Sequence, residues 1–164
     1  MNITILCSSQ SHPVNSWLNL WVERQSKIHN VGIVHSAEEV MGGDILFLIS
    51  CNEIITLDVR NQYKKSLIIH ASDLPKGRGW SPHIWGIIGG ASEITLSLLE
   101  AEDKIDSGDI WKKLKVEILE TDLYTDINKK LFDAELALMS FAVNNIDEIK
   151  PYKQDSSVIP TYHE

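Results

Sequence analysis

A histidine and an aspartate each follow an apolar run in this 164-residue chain. The run Leu67–Ile69 stops at His70, and the run Ile94–Leu99 is followed by a turn that contains Asp106. Because strands of α/β sheets present polar side chains to ligands where they end, we expect the two residues to share a site. A histidine with a carboxylate in reach is suited to proton transfer near neutral pH, which is worth ~10² to 10⁴ in rate.

The same two residues also have a purely structural interpretation. Many histidines of small proteins lie on the surface or in satisfied core positions, and most Asp-x-Gly sequences form turns. His12, in the loop after the first predicted strand, is itself interpreted as an exposed loop histidine. The sequence contains no nucleophile motif and no metal-ligand spacing of His or Cys. His70 and Asp106 are therefore either structural residues or acid–base groups that act on bound substrates.

A stiff, basic loop separates the two apolar runs. Residues 75–82 contain two prolines and two glycines, and they carry Lys76 and Arg78. Ser81-Pro82 predicts the start of a helix that continues to Ile88. Backbone amides and cations ahead of a helix N-terminus suit a phosphate or a carboxylate. Glycine-rich basic loops are also often solvated turns, so the anion site is one of two interpretations.

The order of the apolar segments predicts an α/β fold with a central, mostly parallel sheet flanked by helices. The run Ile45–Ile49 is apolar throughout, as in a strand buried on both faces of such a sheet. Ser36 and Glu39 have the spacing of a capping box, which predicts a short helix. No glycine-rich turn follows the first strand, so the dinucleotide fingerprint is missing. The other strands are predicted at Ile3–Ser8, Val31–Val34, Leu67–His70, Ile94–Glu100 and Ile110–Ile118, and the main helices over residues 13–22, 82–88 and 122–144.

Polar residues also follow the central strand Ile45–Ile49. Ligands of open parallel sheets bind at the carboxyl ends of the strands, so Asn52 and Glu53 are candidates for a binding site. The alternative is that Asn52 starts a helix that extends through Val59. The sequence favours neither interpretation over the other.

Composition and charge limit the classes of partner. The net charge of −8 arises in residues 83–164, which carry sixteen acidic and eight basic side chains. A protein that binds nucleic acid needs a basic face, so we expect a small anionic ligand instead. No apolar run approaches the ~20 residues of a membrane span, and the opening residues lack a signal sequence, so we expect a cytoplasmic protein. Cys7 and Cys51 are interpreted as buried thiols.

Two stretches carry a resemblance to a known family. The stretch HASDLPKGRG from His70 to Gly79, with IDSGDI from Ile105 to Ile110, resembles the folate-dependent formyltransferases. That family's motif runs Asn-x-His-x-Ser-Leu-Leu-Pro, then a basic residue and glycine, and later Leu-Asp-x-Gly. The separation of 36 positions from His70 to Asp106 is similar to the family's. The resemblance covers roughly residues 44 to 146.

The resemblance implies a Rossmann-like core that binds 10-formyltetrahydrofolate and passes the formyl group to an amine. Residues 1–150 would form this catalytic domain, followed by a polar, irregular tail over residues 151–164. His70 would stabilise the tetrahedral species or relay its proton, while Asp106 would hold the imidazole and help collect the proton. The motif positions further imply folate contacts at Asn52, Glu53, Ile54, Asp103 and Lys104, and acceptor contacts at Ser72, Lys76 and Arg78.

One position departs from the family's motif. The family's triad asparagine stands two residues before the histidine, where this chain has Ile68. Isoleucine cannot donate to an oxyanion, and loss of such a donor costs about 3 kcal/mol. Either another side chain, Asn52 or Ser72, supplies the donor, or the activity is reduced. Our hypothesis is that Asn52 supplies it.

The sequence of residues 72–82 is similar to that of the amino-sugar formyltransferases, one branch of the family. That branch implies a nucleotide-linked amino sugar as the formyl acceptor, in the biosynthesis of bacterial surface glycans. A homodimer is a further possibility that the resemblance raises. The alternatives are glycinamide ribonucleotide or another small amine. A folate- or nucleotide-binding module without catalysis is a third alternative, motivated by Ile68. The transfer RNA branch is disfavoured because the chain is short and acidic.

Overall fold

The protein is described by a computed structural model that covers residues 1–79, 87, 90 and 92–163. Two compact units make up the chain, residues 1–68 and residues 69–164. No helix of the covered ranges is long and apolar enough to cross a membrane. The predicted helix over residues 82–88 lies outside the described residues, except for Ile87, which is helical.

The first unit is a parallel sheet with short helices between its strands. Its elements are β1 (Asn2–Leu6), α1 (Val14–Gln25), β2 (Asn30–Val34), a 3₁₀ helix (Ala37–Glu39), β3 (Gly43–Leu48), α2 (Leu57–Arg60) and β4 (Tyr63–His70), whose last two residues belong to the second unit. The strand order is β2-β1-β3-β4, and each neighbouring pair runs parallel.

The core of the first unit lies around the two central strands. Ile5 of β1 is in register with Phe47 of β3, and both side chains are fully buried. Trp21 of α1 packs edge-on against Phe47, with ring centroids 5.9 Å apart and an interplanar angle of 86°. This geometry is one of the preferred arrangements of aromatic pairs. The continuous apolar run predicted for β3 is thus explained by its central position between β1 and β4, with Trp21 of α1 packed on Phe47.

Two local predictions for the first unit need correction. Ser36 does cap the 3₁₀ helix, but its Oγ accepts from the backbone N–H of Glu38 at 3.2 Å, one residue earlier than in a capping box. Glu39 Oε1 accepts from the backbone N–H of His35 rather than that of Ser36. Asn52 does not start a helix, because residues 51–56 are irregular and α2 begins at Leu57.

The second unit is built on an antiparallel hairpin. Its further elements are β5 (Arg78–Gly79), β6 (Glu93–Glu100), β7 (Ile110–Glu117), α3 (Tyr124–Asn145) and β8 (Tyr162–His163). Ile94 and Leu96 of β6 are in register with Val116 and Leu114 of β7. Helix α3 packs on this hairpin, and its apolar stripe is buried at Ile127, Leu131, Phe132, Leu138, Met139, Ala142 and Val143.

The strand order continues through the end of β4 as β4-β6-β7. The six strands therefore form a mixed, mostly parallel sheet flanked by helices, which confirms the predicted Rossmann-like α/β fold. The predicted strand ends agree with the described ones to within two residues, except that β4 begins at Tyr63, four residues before the predicted Leu67. The short strands β5 and β8 were not predicted.

The tail after residue 150 is more ordered than its composition predicts. Tyr152 forms a bridge to Ile110 at the start of β7. Further on, β8 pairs in parallel with β5, with Tyr162 opposite Arg78. The prediction of an irregular tail is therefore wrong at Tyr152 and at β8. Local sequence does not reveal these pairings, because they join residues more than forty positions apart. The division into a domain over 1–150 and a tail stays a prediction.

Candidate active site

His70 ends strand β4 inside the second unit. Its Nε2 lies 2.6 Å from the carbonyl oxygen of Gly77 and 3.6 Å from Asp106 Oδ2. Because a carbonyl can only accept, Nε2 must carry the proton and donate it to Gly77. His70 and Asp106 are each 8% exposed. The structure thus brings together the two residues that the sequence singled out.

Asp106 occupies a turn with an unusual backbone conformation. Its φ is 51°, in the left-handed region that aspartate tolerates better than most residues. Its Oδ2 accepts the backbone N–H of Gly79 at 2.9 Å. A Cβ added at Gly108 would overlap the backbone oxygen of Glu100, so only glycine fits there. The Asp-x-Gly sequence is therefore a turn, as in the structural interpretation, and it also carries a buried carboxylate next to His70.

Contacts from both hairpin strands hold the start of the loop over residues 71–79. Ser97 Oγ of β6 donates to the carbonyl of Ser72 at 2.8 Å. Lys113 Nζ of β7 lies 2.6 Å from Asp73 Oδ1 and donates to the carbonyl of Leu74 at 2.8 Å. Ser72 Oγ donates to the carbonyl of Lys76 at 2.6 Å, which closes the turn. The hydroxyl of Ser72 is thereby engaged within the loop.

Arg78 differs from its predicted role. The side chain is 6% exposed, and its guanidinium donates to Tyr162 Oη at 3.1 Å and to Gln154 Oε1 at 2.7 Å. It also lies 5.9 Å from the centroid of the Tyr162 ring, within range of a cation–π contact. Arg78 is thus a buried anchor of the tail and is not presented to solvent, whereas Lys76 is exposed. An acceptor role of Lys76 stays a prediction.

The tail supplies contacts to the site that sequence reasoning missed. Gln154 Nε2 donates to the carbonyls of Asp106 and Gly108, at 2.7 Å and 3.0 Å. Thr161 Oγ1 accepts the backbone N–H of Gly77 at 2.7 Å. The only sequence signal was the β-favouring pair Thr161-Tyr162 after a proline. A polar residue such as Gln154 carried no signal of its own.

The remaining predicted residues lie on exposed segments. Asp103 and Lys104 belong to the irregular segment between β6 and β7, and both are exposed. The pKa of Tyr162 is lowered, chiefly by the hydrogen bond from Arg78, with a contribution from Lys104. The end of the tail therefore has a locally positive environment.

In the first unit, Asn52 and Ile54 are exposed, Ile54 by 78%. The backbone N–H of Asn52 donates to Ser8 Oγ at 2.9 Å, which leaves its side-chain amide on the surface. Glu53 Oε2 accepts the backbone N–H of Ala37 at 3.2 Å. The folate and catalytic roles of these residues stay predictions.

The second unit can thus offer a buried, hydrogen-bonded imidazole as a proton acceptor. With Nε2 donating to Gly77, the Nδ1 atom of the neutral ring keeps its lone pair and can accept a proton. Asp106 is positioned to stabilise the positively charged ring that results. Within the described ranges no group of three or more His, Cys, Asp or Glu side chains could hold a metal ion.

Comparisons with known proteins agree with this fold. A family model described as formyl transferase matches residues 25–143, more than half of the chain. The methionyl-tRNA formyltransferase of Bacillus velezensis is 38% identical over 91 residues, which are 54% of this chain and 29% of that relative. The chain spans about a third of the length of the curated relatives it matches.

Two solved structures show the same fold at lower identity. Methionyl-tRNA formyltransferase from Clostridium thermocellum aligns with a TM-score of 0.81 and 20% identity, over 99% of this chain and 71% of its own. The formyltransferase PseJ from Anoxybacillus kamchatkensis, in complex with UDP-4,6-dideoxy-4-formamido-L-AltNAc and tetrahydrofolate, aligns with a TM-score of 0.76 and 18% identity, over 99% and 85%. The family resemblance of the His70 and Asp106 stretches is confirmed by the family model: the chain belongs to the formyl transferase family.

Proposed function

We propose that this chain transfers a formyl group from 10-formyltetrahydrofolate to a primary amine, with His70 and Asp106 as its catalytic residues. The observation that carries the proposal is the buried pair itself, with Nε2 and Oδ2 3.6 Å apart in a family whose members are formyltransferases. Burial supports this role because electrostatic interactions are stronger away from water.

In the proposed reaction the amine nitrogen attacks the formyl carbon, and the new C–N bond forms as a tetrahedral species. This species collapses when the bond from the formyl carbon to N10 of the folate breaks. The amine nitrogen loses one proton and N10 gains one, so the products are a formamide and tetrahydrofolate. His70 Nδ1 accepts the proton from the amine, and Asp106 stabilises the charged ring until the proton is passed on.

The residue types at the proposed folate contacts suit a reduced folate. A pterin has a polar edge and flat faces, which suit an exposed amide and an exposed aliphatic side chain such as Asn52 and Ile54. The glutamate end of the folate is anionic, and Lys104 is an exposed cation. Asp103 and Glu53 are the further folate contacts of this proposal. We take Asn52 as the oxyanion donor in place of the motif asparagine.

For the acceptor we favour a small, anionic amine, a nucleotide-linked amino sugar in the first instance. The net charge of −8 opposes a long polyanion. Lys76 is an exposed cation of the loop after His70, and it suits a diphosphate. The burial of Arg78 leaves Lys76 as the cation of this loop that is available to such a ligand.

A second acceptor, methionyl-tRNA, is favoured by one specific observation. The curated relative of 38% identity is a methionyl-tRNA formyltransferase. The aligned region is 54% of this chain and 29% of that relative.

The experiment is a product search by mass spectrometry. The protein is incubated with 10-formyltetrahydrofolate and each of three amines: nucleotide-linked amino sugars, glycinamide ribonucleotide and methionyl-tRNA. We expect a mass gain of one formyl group on an amino sugar, and equal formation of tetrahydrofolate. Formylation of methionyl-tRNA alone would replace the first acceptor by the second. Folate binding in calorimetry without any formylated product would indicate a binding module and contradict the proposal.

A further inference from the structure

The side chain of Gln154 joins the two loops that carry the proposed catalytic pair. Its Nε2 donates to the carbonyls of Asp106 and Gly108, at 2.7 Å and 3.0 Å, and its Oε1 accepts from Arg78 at 2.7 Å. The orientation of the amide is fixed by its partners, because the two carbonyls can only accept and the guanidinium can only donate. Three of the amide's four hydrogen-bonding positions are therefore used.

The first contact acts on the turn that holds the carboxylate. Asp106 has a φ of 51° and lies in a turn, so no helix or strand hydrogen bonds fix its backbone. Gln154 holds the turn at the carbonyls of Asp106 and Gly108, on either side of Ser107. A change in either carbonyl direction would move the Asp106 carboxylate.

The second contact acts on the loop that holds the histidine. Arg78 stands between Gly77, whose carbonyl accepts from His70, and Gly79, whose N–H donates to Asp106. By accepting from the guanidinium, Gln154 ties this loop to the Asp106 turn. One side chain thus links the surroundings of both catalytic residues.

We propose that Gln154 is a positioning residue that sets the distance between the His70 ring and the Asp106 carboxylate. The inference rests on the proposed function of that pair. Gln154 does not touch the reacting atoms, and its effect passes through the backbone of the Asp106 turn. Its loss should therefore lower the rate of the chemical step more than it weakens substrate binding.

The variant Gln154→Glu separates the two contacts. Glutamate has the same shape and can still accept from Arg78, but its second oxygen cannot donate to the carbonyls of Asp106 and Gly108. The neighbouring Asp155→Asn is the matched control, since the Asp155 carboxylate accepts its hydrogen bonds from Ser157. Gln154→Met, which keeps the length without a charge, serves if the glutamate variant folds poorly by circular dichroism.

Two readouts are measured on the full chain. The first is steady-state kinetics, in which we expect kcat to fall about 10- to 100-fold while KM for both substrates stays within threefold. The second is the hydrogen-exchange rate of the Gly79 amide by NMR, because this amide donates to Asp106 Oδ2. We expect this rate to rise at least tenfold in the Gln154 variants and to stay unchanged in Asp155→Asn.

Each outcome decides the proposal. Unchanged kcat and unchanged Gly79 exchange in Gln154→Glu would overturn it, as would a KM increase with constant kcat. If the wild-type chain formylates no amine, the proposed function fails. The Gly79 exchange rate still decides the positioning claim in that case, since an unchanged rate overturns it and a tenfold rise supports it.

Discussion

Asp106 Oδ2 lies 3.6 Å from His70 Nε2, and the Gly79 N–H holds the same oxygen from the loop side. Both side chains are buried, although both are polar. Buried polar groups are costly unless they are hydrogen-bonded, so this arrangement needs the surrounding glycine loop to supply its partners. The backbone of residues 77–79 supplies a partner to each of the two residues.

Gly108 is predicted to be essential for the fold of the Asp106 turn. In Gly108→Ala the new Cβ would overlap the Glu100 backbone oxygen, so the backbone must shift. We expect the free energy of unfolding to fall by more than about 2 kcal/mol in urea denaturation. Gly32→Ala is the control, because no atom lies within 4 Å of its added Cβ. Equal stability of the two variants would show that the turn accommodates a side chain.

The buried carboxyl group of Glu135 on α3 is predicted to make stability depend on pH. Burial raises the pKa of Glu135 to about 8, and Oε2 has no hydrogen-bond partner among the described residues. The unfolded chain releases this proton above about pH 4.5 while the folded chain keeps it, so the free energy of unfolding falls as the pH rises from about 4.5 to about 8.

Replacement of this carboxyl by an amide should remove the dependence. We expect Glu135→Gln to lie within about 1 kcal/mol of the wild type at pH 5 and to be more stable by about 4 kcal/mol at pH 8, measured by urea denaturation. The exposed Glu148→Gln is the control and should show no such difference. A Glu135→Gln stability change that is the same at both pH values would contradict the buried titration.

Asn52 is predicted to supply the donor that Ile68 cannot. Asn52→Ala should lower turnover about 100-fold, in line with the loss of one oxyanion donor. The exposed Asn61→Ala is the matched control in the same unit and should leave turnover within twofold. Turnover of Asn52→Ala equal to wild type, in the formyl-transfer assay, would remove Asn52 from the mechanism.

Local pattern predicted the elements that lead to the site. The run that ends at His70 is β4, and the alternation of residues 110–117 is β7. The pattern of apolar and polar residues determines which side chains of these strands are buried, and this pattern can be read directly from the sequence. The Asp106 turn was also predictable, because Asp-x-Gly favours a tight turn with unusual φ.

The contacts that close the site were not predictable in the same way. Arg78 was interpreted as a ligand-binding cation because it lies in a basic, glycine-rich loop ahead of a predicted helix N-terminus. In the structure its charge is buried against Tyr162 and Gln154 of the tail. Those partners lie 84 and 76 positions away, and pairings at such distances depend on the tertiary fold rather than on local residue types.

The measurement that tests the central claim most directly is the rate of formyl transfer in variants of the catalytic pair. His70→Ala and Asp106→Asn should each lower kcat by ~10² to 10⁴, with the accepted amine at saturation. Asp155→Asn should stay within twofold of the wild type. Retention of wild-type kcat in His70→Ala or in Asp106→Asn, with the variant folded, would contradict the claim that this pair carries out the transfer.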